Sequence, residues 1–471
     1  MIGRRPEGSG KVGLVRKLGI FDATMMMMGI VIGSGIYTTT GIIAESAPSA
    51  PLILAVWVFG GLLTLTGALT YAELGAAMPH AGGHYVYIRE AYGPLPAFLF
   101  GWMLFFVGMT GSIAALGVAF AEYVSYFLPW FSTHNHLFTV PLSFFGLSFD
   151  YSISTGQLFA AVVILALSTM NIFGVVLGAM VQNVFTVLKI GTLIVFVVLG
   201  LTIGQRTPVD WSVNPLGLTP GNLIVGFGLA YIAVSWAFDG WNNINYIAGE
   251  IKDPGRNLTF ALIAGTGSIT LLYALTNLVY IYALPVPAMQ GVVRIAEIAS
   301  TGLFGGAAAT IISAAVMVSV FGSLNGTIIV GPRVYYAMAD DGLFFRRVAE
   351  VHPRWRTPMH SLVFQGVWSA LLCLTGTFEQ LITMVMFVII LFTILAVVSV
   401  FTLRRTRPEM PRPYKTWGYP WVPAIFIVFS TGILLATLFE RPVEALAGMG
   451  LTAIGIPVYR YWKKKLATAY S

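Results

Sequence analysis

Long apolar runs separated by short polar connections set the pattern of this chain. A helix needs about 20 apolar residues to cross a bilayer. By that measure about twelve runs predict spanning helices, at 20–47, 51–78, 94–128, 155–174, 180–204, 221–250, 257–284, 306–338, 358–377, 379–403, 420–438 and 442–461. The third and eighth are too long to stand upright and are expected to tilt or to continue beyond the bilayer. Two runs carry an interruption. Within Met25–Ala44 the triplet Gly33-Ser34-Gly35 leaves a helix short of side-chain packing and long on backbone freedom. Within Gly221–Ile247 a comparable defect falls at Trp236-Ala237-Phe238-Asp239-Gly240-Trp241. A broken helix in hydrocarbon strands its N–H and C=O groups, so a break survives only inside protein or beside a water-filled cavity. Interrupted spans in corresponding places of two halves point to the binding site of a solute carrier.

The first five runs and the next five share a layout, each set opening on a broken helix and each third member unusually long. An odd number of spans per repeat inverts the second copy relative to the first. The chain divides accordingly into a tail at 1–19, a first repeat at 20–204, a second repeat at 221–403, two further spans at 420–461 and a tail at 462–471. The class predicted is an all-α membrane protein. With 57% hydrophobic and only 10% charged residues, composition argues against a soluble enzyme. The net charge of +7 would suit nucleic acid, but its distribution does not. With the N-terminus inside, 22 of the 26 Lys and Arg fall on the cytoplasmic side, leaving Arg206, Arg294 and Arg441 outside and Lys189 within a span. That asymmetry predicts an integral plasma (inner) membrane protein with both termini cytoplasmic and no nucleic-acid partner. The Arg-rich connections at 339–357 and 404–418 read as surface segments on that side. No cleavable leader is expected, because the basic tail runs into a full-length span without an obvious small-residue cleavage site. Cys373 is the single cysteine, so no intrachain disulfide can form. The histidines fall in or near connections, and no His-Glu-x-x-His pattern or intramembrane acid–base cluster is present. Neither a metal nor a cofactor nor an enzymatic activity is expected.

At the first break the outer half-helix turns the positive end of its dipole and several free N–H groups toward the bilayer midplane. Such a helix start holds a carboxylate without an arginine. Carbonyls near Ile30–Ile32 suit an ammonium, and the second break offers a facing set of carbonyls and N–H groups. An anion site beside a cation site describes an α-amino acid. The candidate binding residues are Val31, Gly33, Ser34, Gly35 and Ile36 on the first break, with Trp236, Ala237, Phe238, Asp239 and Gly240 on the second. Close helix packing is the competing use of such small residues. Trp236 can swing over the pocket as a gate, or simply pack in the core. Asp239 costs about 2.5–3.5 kcal/mol at mid-bilayer on insertion scales. It reads as the cap of a new half-helix in preference to a group that selects substrate. Lys189 lies too far from either end of its span to reach water and is expected to face the interior. There it would bridge the first broken helix to the eighth span near Ser323 and Asn325, doing the work of a coupling sodium ion or, if it changed protonation, carrying protons. Glu45 and Glu73 fall near span ends and read as interfacial.

The segment Gly29-Ile30-Val31-Ile32-Gly33-Ser34-Gly35-Ile36 resembles the first-helix signature of the amino acid/polyamine/organocation superfamily. Further matching stretches are Tyr71-Ala72-Glu73-Leu74-Gly75, Gly82-Gly83-His84-Tyr85, Gly240-Trp241-Asn242, Val181–Lys189, Phe321-Gly322-Ser323-Leu324-Asn325-Gly326 and Arg412-Pro413-Tyr414. Within the superfamily the chain is similar to bacterial relatives of the L-type amino-acid exchangers. The resemblance implies the LeuT-type fold, a 5+5 inverted repeat with broken first and sixth helices. It also implies sodium-independent amino-acid transport, frequently by obligatory exchange, with Trp236 as the gating aromatic and Lys189 in the place of a missing sodium. Two departures matter. Asp239 stands where eukaryotic exchangers usually have glycine, which makes the pocket smaller or more polar and large aromatic substrates doubtful. The outer connection 129–154 has no cysteine, so no disulfide-linked heavy chain is expected. The expectation is a carrier in the lipid bilayer that exchanges neutral L-amino acids by alternating access. A proton-coupled symporter is the nearest alternative, and a cationic amino-acid or polyamine carrier a more distant one.

Overall fold

The computed structural model describes residues 13–144, 147–374 and 378–470. The first apolar run folds as two half-helices, α1 (Ile20–Val31) and α2 (Gly35–Ser46), bent by 41° across Ile32, Gly33 and Ser34. After it comes α3 (Ala50–Ala77), whose first turn is fixed by the Ser49 hydroxyl accepting the Leu52 N–H. A short helix not foreseen from the sequence, α4 (His84–Tyr92), ends at Gly93 with φ +91°. The next span is continuous but not uniform, running through α5 (Pro94–Met103), a π-helical segment (Leu104–Gly108) and α6 (Met109–Ser125). The connection beyond it carries an antiparallel hairpin, β1 (His136–Phe144) with β2 (Leu147–Ser154). Then follow α7 (Thr155–Ile172), α8 (Val175–Thr202) and α9 (Pro220–Phe238) with a 3₁₀-helix (Asn243–Glu250). The second half continues with α10 (Pro254–Ala283), α11 (Val286–Met289), α12 (Ile295–Phe304), α13 (Gly306–Val330) and α14 (Pro332–Asp340). A second 3₁₀ turn (Arg346–Ala349) leads to α15 (Met359–Cys373), α16 (Phe378–Thr406), α17 (Trp421–Glu440) and α18 (Pro442–Tyr470).

Among the described residues, nine helices are long and apolar enough to cross a membrane, and the bent pair α1–α2 makes a tenth. Of the remaining predicted spans, α15 is shorter than the run suggested. At the second interruption the expected boundary shifts. The helix α9 runs through Trp236, Ala237 and Phe238, and the chain leaves it only at Asp239, with Gly240 at φ +91°. Apolar helix formers keep the ladder going until a residue without a Cβ permits the turn. In the bundle α10 lies along α3, α1 packs on α10, α2 packs on α9, and α8 and α13 enclose α1 from the other side. The interrupted first and sixth spans therefore cross at the centre of an all-α, multi-pass fold of the LeuT type.

The π segment shows how an irregular backbone is accommodated. The wider turn closes through the Met109 N–H on the Leu104 carbonyl, and side chains add bonds to its carbonyls. Tyr335 donates to the Leu104 carbonyl at 3.4 Å, Thr110 to Phe105 at 2.6 Å and Trp368 Nε1 to Phe106 at 3.1 Å. Such side-chain donors are what an irregular turn at membrane depth requires.

Ion pairs cluster at the end of the bundle where the chain begins. Glu73, expected at the interface, is instead buried and collects Arg404 at 2.6 Å, Arg412 at 3.4 Å and the Thr416 N–H and hydroxyl at 2.7 Å each. Hydropathy placed it near a span end, but its partners arrive from the last turn of α16 and the connection after it, which no local pattern reveals. For Glu90, burial alone would raise the carboxyl, but hydrogen bonds from Arg407 and Arg89 hold it below its ordinary value. Glu250 faces Arg333 Nε at 2.6 Å with side chains 0% and 2% exposed. The Glu250 carbonyl also accepts the N–H groups of Lys17 and Leu18, so the segment before α1 is pinned to the end of the 3₁₀-helix. Removing one partner of a buried pair strands the other charge, at about 3–5 kcal/mol. Arg333→Leu should therefore lower the unfolding midpoint followed by tryptophan fluorescence in detergent, and adding Glu250→Leu should recover much of the loss. A midpoint unmoved by the single substitution would show the pair to be dispensable.

Candidate functional site

The two interruptions meet through glycine. A Cβ on Gly35 would lie 2.7 Å from the Ala237 Cα, and one on Gly240 would lie 2.6 Å from the Ile30 Cγ2. Each break thus presents a glycine to the other span's backbone or branched side chain. The packing use of Gly35 is real, then, and coexists with its place on the cavity wall. By contrast, a Cβ on Gly33 would meet nothing closer than the Ser323 hydroxyl at 3.5 Å.

Behind the first break lies Lys189, fully buried on α8. Its Nζ donates to the carbonyls of Gly29 at 2.8 Å, Ile32 at 2.7 Å and Ser319 at 2.8 Å, with the Ser323 hydroxyl at 3.0 Å. The Ser323 hydroxyl reaches the Gly29 carbonyl at 2.9 Å, and that of Ser319 reaches Ile32 at 2.9 Å. Tyr273 donates to the Val31 carbonyl at 3.1 Å. The expected bridge from Lys189 to the first span and to Ser323 is present. Asn325 is not part of it; its amide donates to Gln182 and Gly178 and its oxygen accepts from Asn171. Ser319 and Tyr273 escaped the sequence reading, although Ser319 sits one helical turn before Ser323 and so shares its face.

This arrangement alters one expectation. Of the carbonyls near Ile30–Ile32 assigned to a solute's ammonium, those of Val31 and Ile32 are already claimed by the protein. Around the cavity, the carbonyls of Ile30, Phe238 and Asp239 carry no hydrogen bond among the described residues, and neither do the N–H groups of Ser34, Gly35 and Ile36. The unclaimed groups flank a cavity lined by Val31, Gly33, Ser34, Gly35, Trp236, Ala237, Asp239 and Gly240. Two candidates point elsewhere. Ile36 is fully buried, and Phe238 packs against Trp57 and Tyr273. For Ile36 only the backbone N–H remains available to a ligand.

Trp236 lines the cavity half-buried and, among the described residues, makes no ring contact that would lock it. Asp239 does not cap the following helix: Asn242 holds that position, without a side-chain cap. The Asp239 carboxylate faces the cavity with no Lys or Arg within 4 Å among the described residues. At the end toward α4 the wall includes His84, whose ring stacks on Phe100 with centroids 5.1 Å apart and whose Nε2 meets the Tyr71 hydroxyl. Its Nδ1 has no partner. Burial pushes the imidazole down to about 3, so it is neutral across the physiological range. Gly82 at φ +108° and Gly83 at φ +45° swing the chain into this position.

Two outcomes follow. Lys189→Ala would orphan acceptors on α1 and α13, each at about 1–3 kcal/mol. It should lower the unfolding midpoint and raise amide exchange in α1 more than in α7; an unchanged exchange pattern would mean the lysine braces nothing. For His84, the unfolded chain takes up a proton below about pH 6.5 that the folded one refuses until about 3, so stability falls as pH drops through that window. His84→Gln should flatten the decline between pH 7 and 5. A slope equal to that of the wild type would remove His84 as its source.

Residues 18–455 match the amino acid permease family. The chain is 30% identical to the serine/threonine exchanger SteT of Bacillus subtilis (strain 168) over 465 residues, covering 97% of this chain and 99% of that protein. It is also 30% identical to the large neutral amino acids transporter small subunit 2 of Homo sapiens, over 98% of this chain and 83% of that one. Identity to the human b(0,+)-type amino acid transporter 1 is 30%, over 91% and 84% of the two chains.

Proposed function

The chain belongs to the amino acid permease family, and from that premise we propose that it exchanges neutral L-amino acids by alternating access, without sodium. The observation that carries this reading is the Lys189 ammonium seated among the carbonyls of Gly29, Ile32 and Ser319. A fixed cation bound by the unwound helix leaves no vacancy for a mobile one, and the structural charge needs no ion gradient to fill it.

The substrate carboxylate is placed on the unclaimed N–H groups of Ser34, Gly35 and Ile36 at the start of α2, where the helix dipole favours an anion. Its ammonium goes to the free carbonyls of Ile30, Phe238 and Asp239. Trp236 closes over the pair. The cavity holds about 70 Å³; at roughly 10–15 Å³ per water-sized group, it suits a small side chain. The basic end of the bundle faces the cytoplasm by the positive-inside rule, in the inner membrane, with both termini there. The inverted repeats take residues 20–204 and 221–403, and spans at 420–461 lie outside them. The protein works without a disulfide-linked partner, consistent with a connection at 129–154 that has no cysteine.

A second reading draws on one observation. Asp239 is a cavity carboxylate with no protein cation beside it, and an amino acid with a cationic side chain would supply the missing charge. Proteoliposomes loaded or not with amino acid, and offered labelled serine, alanine, leucine and arginine, separate the possibilities. Neutral exchange predicts uptake of serine and alanine that requires internal amino acid and persists when choline replaces sodium. Accumulation into empty vesicles driven by a pH gradient would establish proton symport instead. Preference for arginine, lost in Asp239→Asn, would establish the cationic reading.

A further inference from the structure

Five basic side chains at the cytoplasmic end hold a carboxylate. Arg89 holds Asp341, Arg333 holds Glu250, Arg404 and Arg412 hold Glu73, and Arg407 holds Glu90. One group does not. Arg346 and Arg347, on the 3₁₀ turn after α14, and Arg460 and Lys463, near the end of α18, are exposed and have no carboxylate within 4 Å among the described residues. Of the acids in the same connection, Asp341 is held by Arg89 and Tyr85, and Asp340 and Glu350 lie more than 4 Å from these four cations.

Aromatic side chains bring these cations together from segments far apart in sequence. The Phe345 ring, 56% exposed, meets Trp462 edge-on at 5.4 Å and stacks on Phe364 of α15 at 6.4 Å. Lys465 lies over the Trp462 ring at 5.2 Å. Toward the bilayer centre the patch continues as an apolar strip. Its floor is Phe106 and Trp102, packed at 4.2 Å; Trp368 of α15 meets Phe106 on one side, and Trp102 Nε1 donates to the Leu451 carbonyl of α18 on the other. Phe364 and Ile454 are exposed along its edges. Uncompensated cations at the interface, exposed aromatic rings at headgroup depth and an apolar strip below them are the three surfaces that a phospholipid presents in reverse.

We propose that an anionic phospholipid of the cytoplasmic leaflet binds here, its phosphate held by Arg346, Arg347, Arg460 and Lys463 and an acyl chain lying along the strip between α15 and α18. The π segment gives the contact a consequence for transport. Its outer face carries Phe106, against the strip, whereas Leu104 and Gly108 on the same turn line the central cavity. A lipid seated outside thus braces a wall of the binding site. The proposal takes from the functional reading only that the basic end faces the cytoplasm.

Delipidated protein is exposed to phosphatidylglycerol or phosphatidylcholine, and bound lipid is counted by native mass spectrometry, a readout independent of transport. Phosphatidylglycerol should be retained preferentially. Each neutralised cation should weaken retention about fivefold, the equivalent of roughly 1 kcal/mol per basic residue at an anionic surface. The variant R346Q/R347Q/K463Q should lose the preference, while R405Q/K415Q, which removes exposed cations elsewhere on the same end, should keep it. Exchange in phosphatidylcholine vesicles should rise on adding phosphatidylglycerol for the wild type and the control pair but not for the triple variant. Equal retention of both lipids by the wild type would overturn the proposal, as would loss of preference in the control pair, which would mean general surface attraction. Displacement of the lipid by soluble glycerol phosphate at matched concentration would also overturn it, reducing the site to an anion site without a chain.

Discussion

A helix that stops halfway across a bilayer must find partners for the backbone groups it releases, and the centre of this protein is organised around that need. In hydrocarbon an unsatisfied peptide group costs several kcal/mol, and an unpaired buried ammonium costs more. The Lys189 side chain and the unwound end of α1 each meet the other's demand, three carbonyls and a hydroxyl receiving one Nζ. Because the lysine belongs to α8 and two of its partners to α13, the same contact fixes α1 to both. The geometry of the cavity, including which N–H groups of α2 stay free, depends on this anchor.

How far the sequence foretold the site depended on the range of the interaction. The break at Gly33-Ser34-Gly35 is a local property of three small residues and falls where it was expected. Lys189 and Ser323 followed from two facts, an amine with no route to water and a polar residue on a facing span. Asn325 was grouped with Ser323 by proximity in sequence, yet two residues along a helix turn a side chain by about 200°, which carries it to a different neighbour. The second break falls inside the expected stretch Trp236–Trp241 but only at its later part, because Trp236, Ala237 and Phe238 still fit the helix and the chain turns away at Asp239 and Gly240. Glu73 was misplaced for the opposite reason, since its environment is built by residues more than three hundred positions away.

Two kinds of electrostatic solution coexist in the fold. At the membrane centre the protein uses one cation and neutral acceptors, so no carboxylate has to be desolvated beside it. At the end where the chain begins, full ion pairs such as Arg333–Glu250 join segments far apart in sequence. Such pairs contribute less to net stability than to registry. They hold the 3₁₀-helix, the segment before α1 and α14 in one fixed relation.

The reciprocal glycine contacts constrain how this architecture can diversify. With Gly35 pressed on Ala237 and Gly240 on Ile30, neither interrupted span has spare volume toward the other. A larger residue at any of these positions would have to be matched by a smaller one across the contact, so the crossing behaves as a single inherited unit. Selectivity has more room to be tuned on cavity walls outside these contacts, such as Ser112 and Leu116 of α6, Thr327 of α13 and Thr393 of α16. Those positions are separated by long stretches of chain and are free to vary one at a time, which makes them the natural sites for evolving or engineering a different cargo on an unchanged frame.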